Sequence, residues 1–87
     1  MMVRSMEIEE IQQIIEAINE LQGDNTVPKN IKIKLQTIAE ILKGGDESVS
    51  IKVNKALDEL EEISDDANIQ SYTRTQIWNI VSLLESI

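Results

Sequence analysis

The stretch Ile11-Gln12-Gln13-Ile14-Ile15-Glu16-Ala17-Ile18-Asn19-Glu20-Leu21-Gln22-Gly23-Asp24-Asn25-Thr26-Val27-Pro28 decides the fold. Ile11, Ile14, Ile15, Ile18 and Leu21 recur at the three- and four-residue spacing that gathers side chains on one face of an α-helix. Gly23 ends that helix in the usual C-terminal role. Asp24 is placed to hold a turn, and Val27, three positions on, to close the turn against a core. Pro28 suits the first turn of a second helix, where its missing N–H would have had no partner. A helix, a tight turn and a second helix make a hairpin.

Working outward, the same period predicts four helices over 5–22, 28–43, 47–63 and 70–86. Helix 1 adds Ile8 to its apolar face and carries Glu7, Glu9 and Glu10 at its positive N-terminal end. Helix 2 has Ile31, Leu35, Ile38, Ala39 and Leu42 on one face, and Gly44-Gly45 breaks it. Helix 3 has Asp46 as its expected N-cap and Val49, Val53, Ala56, Leu57, Leu60 and Ile63 as its stripe. Ser64-Asp65-Asp66-Ala67-Asn68 reads as a loop, because these side chains compete for backbone hydrogen bonds. Ile77, Ile80, Val81 and Leu84 face inward on helix 4, and no segment shows the period of two that a strand requires.

Shifted by 42 positions, the second half of the chain registers on the first without a gap. Ile11, Ile14, Ile15, Ile18 and Leu21 fall on Val53, Ala56, Leu57, Leu60 and Ile63, and Asp24-Asn25-Thr26-Val27 falls on Asp66-Ala67-Asn68-Ile69. Any two amphipathic hairpins of equal length would align in this way. A two-helix period of this size also suits a helical solenoid, but two copies without caps are too few to sustain one. The expected architecture is all-α: one domain over 1–87, an antiparallel up-and-down four-helix bundle made of two related helical hairpins.

Composition narrows the chemistry. The 87 residues carry a net charge of −8 and contain neither histidine nor cysteine. The commonest general base, the commonest transition-metal ligand and the thiolate nucleophile are therefore missing. The expectation is a non-enzyme with no catalytic, cofactor or metal residues. Net negative charge disfavours nucleic acid, and no apolar run reaches the length of a membrane span. The first residues lack a signal-peptide core, and the absence of cysteine fits a reducing compartment, so the expected location is cytoplasmic.

Charge is partitioned along the chain: residues 4–24 carry net −5, residues 25–45 net +3 and residues 46–66 net −6. The basic second helix is thus expected beside acidic helices 1 and 3. The run Asp58, Glu59, Glu61, Glu62, Asp65, Asp66 could hold a hard cation but lacks calcium-loop spacing, and a solvated helix face is the preferred reading. Lys29, Lys32, Lys34 and Lys43 could bind an anion, yet no glycine-rich phosphate loop opens their helix.

The segment Tyr72-Thr73-Arg74-Thr75-Gln76-Ile77-Trp78-Asn79 holds both aromatics of the chain. Trp and Arg are enriched at binding hot spots. Against that stands a structural role, which is favoured here: Trp78 at the edge of the core and Arg74 paired with an acidic residue of helix 1 or 3. Ile33, Ile51 and Leu83 fall off their core stripes, and Tyr72 shares the outer side of helix 4 with Leu83. Ile33, Tyr72, Arg74, Trp78 and Leu83 form the candidate interaction surface.

Asp24-Asn25-Thr26-Val27-Pro28-Lys29-Asn30-Ile31, Leu60-Glu61-Glu62-Ile63-Ser64-Asp65 and Thr73-Arg74-Thr75-Gln76-Ile77-Trp78 together resemble a small archaeal family known as uncharacterised protein family 0147. The resemblance spans nearly the whole chain, and its Thr-Arg-Thr-x-Ile-Trp element is the most specific part. It implies a four-helix bundle, an archaeal cytoplasmic source and no assigned activity. The chain departs from the family pattern before helix 4, where Ala67 and Gln70 stand in place of prolines. The expected function is a helical module that binds an unknown protein partner or itself as a homo-oligomer. The alternative is a regulator that binds a divalent cation or a small anionic ligand.

Overall fold

The computed structural model describes the backbone of residues 2–45 and 47–87 and the side chains of residues 9–45 and 47–87. Four helices follow in order: α1 Met2–Gln22, α2 Lys29–Lys43, α3 Val49–Ser64 and α4 Ser71–Glu85. Helix α1 begins three residues before the expected start, and the side chains of Glu7 and Ile8 lie outside the described residues. Each helix packs on its neighbour in sequence, α4 closes back on α1, and among the described residues the diagonal pairs do not approach. Short connections make neighbours antiparallel, so the helices form an all-α, up-and-down four-helix bundle. Its body measures 41 × 19 × 19 Å, a cross-section two helices wide in each direction.

The faces read from the periodicity meet in one core. Ile14, Ile18, Leu35, Ile38, Ala56, Leu60, Ile77 and Leu84 are at its centre, while Val49, Leu57 and Val81 are half-buried at its margin. Burying each large aliphatic side chain stabilises the fold by roughly 1.5–3 kcal/mol.

Helix ends recur at the offset of 42: α1 ends at Gln22 and α3 at Ser64, while α2 and α4 begin at Lys29 and Ser71 and end at Lys43 and Glu85. The turns correspond as well. Asp24 Oδ1 accepts from the Thr26 N–H at 2.8 Å and the Thr26 hydroxyl at 2.7 Å, and Asp66 Oδ1 accepts from the Asn68 N–H at 2.8 Å. Val27 and Ile69 each donate a backbone bond to the carbonyl of that aspartate and bury their side chains. The hydroxyl of Thr26 and then its N–H hold the Asp24 carboxyl below its ordinary range; burial opposes them less strongly, and the nearby Lys32 charge adds the least. A carboxyl depressed in the folded state adds stability above its unfolded pKa and loses it as pH falls through the folded value. Asp24→Ala is therefore expected to melt below the parent at pH 7, and the gap is expected to narrow once pH drops below about 4. Urea titrations at pH 7 and pH 3 compare the two.

Gly23 follows the last residue of α1, as expected, and does so without a left-handed conformation, since no described glycine has a positive φ; two other helix ends differ from expectation. At the equivalent place in the second hairpin, Asp65 is right-handed, with φ −86° and ψ −6°. A Cβ at Gly23 would meet only Glu20 O at 3.5 Å and Asn19 O at 3.8 Å. Gly23→Ala is thus expected to stabilise by about 0.4–1 kcal/mol through the unfolded chain, seen as a rise in thermal midpoint. Pro28 is the N-cap of α2, one place outside the first turn, with its carbonyl accepting from the N–H groups of Ile31 and Lys32 at 3.0 Å. Ser48 caps α3 by accepting from the Ile51 N–H at 3.4 Å, whereas Asp46, the expected cap, lies outside the described residues.

One core position breaks the apolar rule. Thr73 on α4 is 1% exposed, where the equivalent position on α2 holds buried Ile31. The Thr73 hydroxyl has no hydrogen-bond partner among the described residues. Thr73→Val keeps the shape and removes a stranded polar group, so it is expected to stabilise by about 1 kcal/mol in chemical denaturation.

Candidate interaction face

The α1/α4 seam is incompletely filled along one side of the bundle. It opens into a groove of about 230 Å³. Helix α1 contributes Ala17, Glu20 and Leu21, and the turn after it contributes Asp24. Across the seam, α4 presents Tyr72, Gln76, Asn79, Ile80 and Leu83, which recur at the spacing of one helix face. The groove is open because Ala17 is short where it faces α4. Its floor is apolar, Leu21 and Ile80, and its rim is polar except for Leu83. Tyr72 is 62% exposed and Leu83 40%. Gln76 Nε2 donates to the Tyr72 hydroxyl at 2.8 Å, which ties these two rim groups together. Among the described residues Glu20 makes no ion pair.

The five candidate surface residues do not share one face. Tyr72 and Leu83 meet at the groove. Trp78 falls roughly 120–140° around α4 from them at about 100° per residue. It is 58% exposed, so its expected place at the core margin is corrected. Thr73, Ile77, Ile80 and Leu84 already occupy the inward face of α4 and leave no room for an indole. Ile33, 61% exposed, points outward from α2, the helix diagonal to α4, and so belongs to the far side of the molecule.

Arg74 has a structural role, but its partners differ from those expected. Its Nε donates to Ser64 O at 3.0 Å and its Nη2 to Asp66 O at 2.9 Å. These are backbone carbonyls at the end of α3, where acceptors lack helical partners and a cation is favoured, and no carboxylate is involved. The first hairpin makes the corresponding link with reversed polarity: Gln22 Nε2 donates to Lys32 O at 3.3 Å.

On the α2/α3 seam the basic and acidic helices do meet. Lys34 Nζ lies 2.6 Å from Glu62 Oε1 and 3.9 Å from Glu59 Oε2. The Glu62 hydrogen bond, opposed by burial and aided by both carboxylate charges, holds the Lys34 ammonium above the ordinary lysine range. Lys52 Nζ donates to Gly44 O at 2.6 Å, placing a cation at the negative end of α2. Lys55 pairs with Glu47 at 2.6 Å. Among the described residues no group of three or more carboxylates converges to hold a metal ion. None of the helices is long and apolar enough to cross a membrane.

The sequence pattern missed the groove, because it depends on a small residue of one helix facing large ones of another. A signal was present: Ala17 and Gln76 stand where the other half of the chain has Glu59 and Lys34.

The profile of the uncharacterised protein family UPF0147 matches residues 1–87. The chain is 38% identical to the UPF0147 protein of Archaeoglobus fulgidus over 85 residues, covering 98% of this chain and 97% of that one. It is 36% identical to the UPF0147 protein of Methanothermobacter thermautotrophicus over 83 residues, 95% of this chain and 81% of that one. The fold is similar to the crystal structure of the unknown-function protein MMP1188, with a TM-score of 0.88 and 34% identity over 92% of this chain and 91% of the other. It is also similar to that of a UPF0147 protein from Thermoplasma acidophilum, with a TM-score of 0.87 and 29% identity over 92% and 94%. Matched from end to end in sequence and along nearly its whole length in fold, the chain belongs to UPF0147, an uncharacterised family whose relatives here are archaeal.

Proposed function

We propose that the protein is a non-enzymatic helical interaction module of the cytoplasm whose docking face is the α1/α4 groove. The observation that carries this reading is the pairing of a groove of about 230 Å³ with two exposed large side chains, Tyr72 and Leu83, at its rim. An apolar floor with a polar rim is the usual make-up of a binding face. The chain has no histidine or cysteine with which to build the commoner catalytic sites. The lack of cysteine suits a reducing compartment.

A photo-crosslinking residue at position 83, compared with one at position 33, tests the reading in the native host. A partner captured through 83 and not through 33 is then purified and titrated. Leu83→Ala is expected to weaken that complex about tenfold, and Ile33→Ala to leave it unchanged. Equal capture at both positions would sink the assignment of the face. Sedimentation equilibrium shows whether the captured partner is a second copy of the chain.

A further inference from the structure

Resting on the reading of the α1/α4 face as a docking site, we propose that its groove receives a lysine side chain from a basic partner protein. The other half of the chain supplies the argument. A step of 42 residues carries this groove onto the α2/α3 seam, with Ala17 falling on Glu59, Glu20 on Glu62 and Gln76 on Lys34. On that seam Lys34 spans the two helices and sets its ammonium 2.6 Å from Glu62. On the α1/α4 seam the carboxylate of Glu20 is kept, but the lysine is replaced by Gln76 and the second carboxylate by Ala17. The fold therefore contains a filled and an open version of one site.

What remains in the open version selects a cation with an alkyl stem. Gln76 gives one N–H to the Tyr72 hydroxyl, and its carboxamide oxygen is an available acceptor in the groove that Glu20 also lines. Ala17 and Leu83 offer apolar surface for four methylenes, as lysine stems commonly use. The Tyr72 ring adds a face that attracts a cation. A net charge of −8 sets two copies of the chain against each other and draws a basic partner in, so the incoming lysine belongs to a different protein.

The test titrates ¹⁵N-labelled protein with tetralysine and, separately, with the same peptide acetylated at every Nζ. Saturable shifts are expected for amides of 17–24 and 72–83 with tetralysine alone. Gln76→Lys, which supplies the cation from α4 itself, and Glu20→Gln are each expected to weaken binding about tenfold while the helical circular dichroism is retained. Shifts spread along the acidic face of α3 and unaltered in both variants would overturn the proposal, as would equal binding of the acetylated peptide. A partner captured through position 83 whose affinity ignores Gln76→Lys would also overturn it, yet leave the docking face in place. Failure to capture any partner there counts against the face itself.

Discussion

Leu60→Ala is expected to leave this protein barely folded at 37 °C. Leu60 is fully buried in α3, at the centre of the core, with Ile18 as its counterpart on α1. Truncating such a side chain costs about 2–5 kcal/mol, part lost transfer energy and part cavity. A single core in a chain of this size supplies only about 3–5 kcal/mol of net stability, so one methyl-lined void is comparable with the whole margin. The thermal midpoint should fall by at least about 8 °C, at the roughly 4–8 °C per kcal/mol expected at this length. Ile33→Ala removes a similar side chain from the solvent side of α2 and should stay within about 0.5 kcal/mol of the parent. Circular dichroism melts of the two variants decide the matter. Similar losses in both would mean that the inward and outward faces have been assigned wrongly.

Arg74→Ala is expected to have the next largest effect, about 1–2 kcal/mol, discounted because the guanidinium is only partly buried. The side chain is a clamp: one fork holds the final carbonyl of α3 and the turn carbonyl of Asp66, locking the second hairpin. Arg74→Lys should recover little of the loss, since a single ammonium cannot reproduce two diverging N–H bonds. Because both acceptors are main-chain oxygens, the loss should persist in 1 M salt, where an exposed carboxylate pair would be screened. Full rescue by Arg74→Lys, or disappearance of the effect at high salt, would point to an ordinary surface ion pair.

Periodicity carries which side of each helix faces inward, and little about what lies across from it. The spacing of Ile11, Ile14, Ile18 and Leu21 and of their counterparts placed the inward faces, because burial repeats with the turn of the helix. Gly44-Gly45 and the two aspartate turns marked the breaks. A sequence shows the side-chain charge that suggests a carboxylate partner for Arg74, but not the stranded carbonyls at the end of α3 that it holds. The size of Trp78 suggests the core, yet its position on α4 faces away from the side that Ile77, Ile80 and Leu84 fill. A hydroxyl does not announce a core position, so Thr73 is legible only through its counterpart Ile31. Ile33 and Leu83 are both off-stripe in sequence, and the closure of α4 on α1 shows that they lie on different sides.

That closure has a kinetic meaning. Among the described residues four helix pairs touch; three are consecutive in the chain, and α1 with α4 joins distant segments. Local pairings close short loops at a smaller entropic cost, so the α1/α4 joint is expected to be completed last and to open most readily in hydrogen exchange. The groove would then sit on the slowest-formed seam of the bundle. Anything that occupies it would act as a latch, slowing the opening of the ring of helices and raising the stability of the whole in proportion to how tightly it binds.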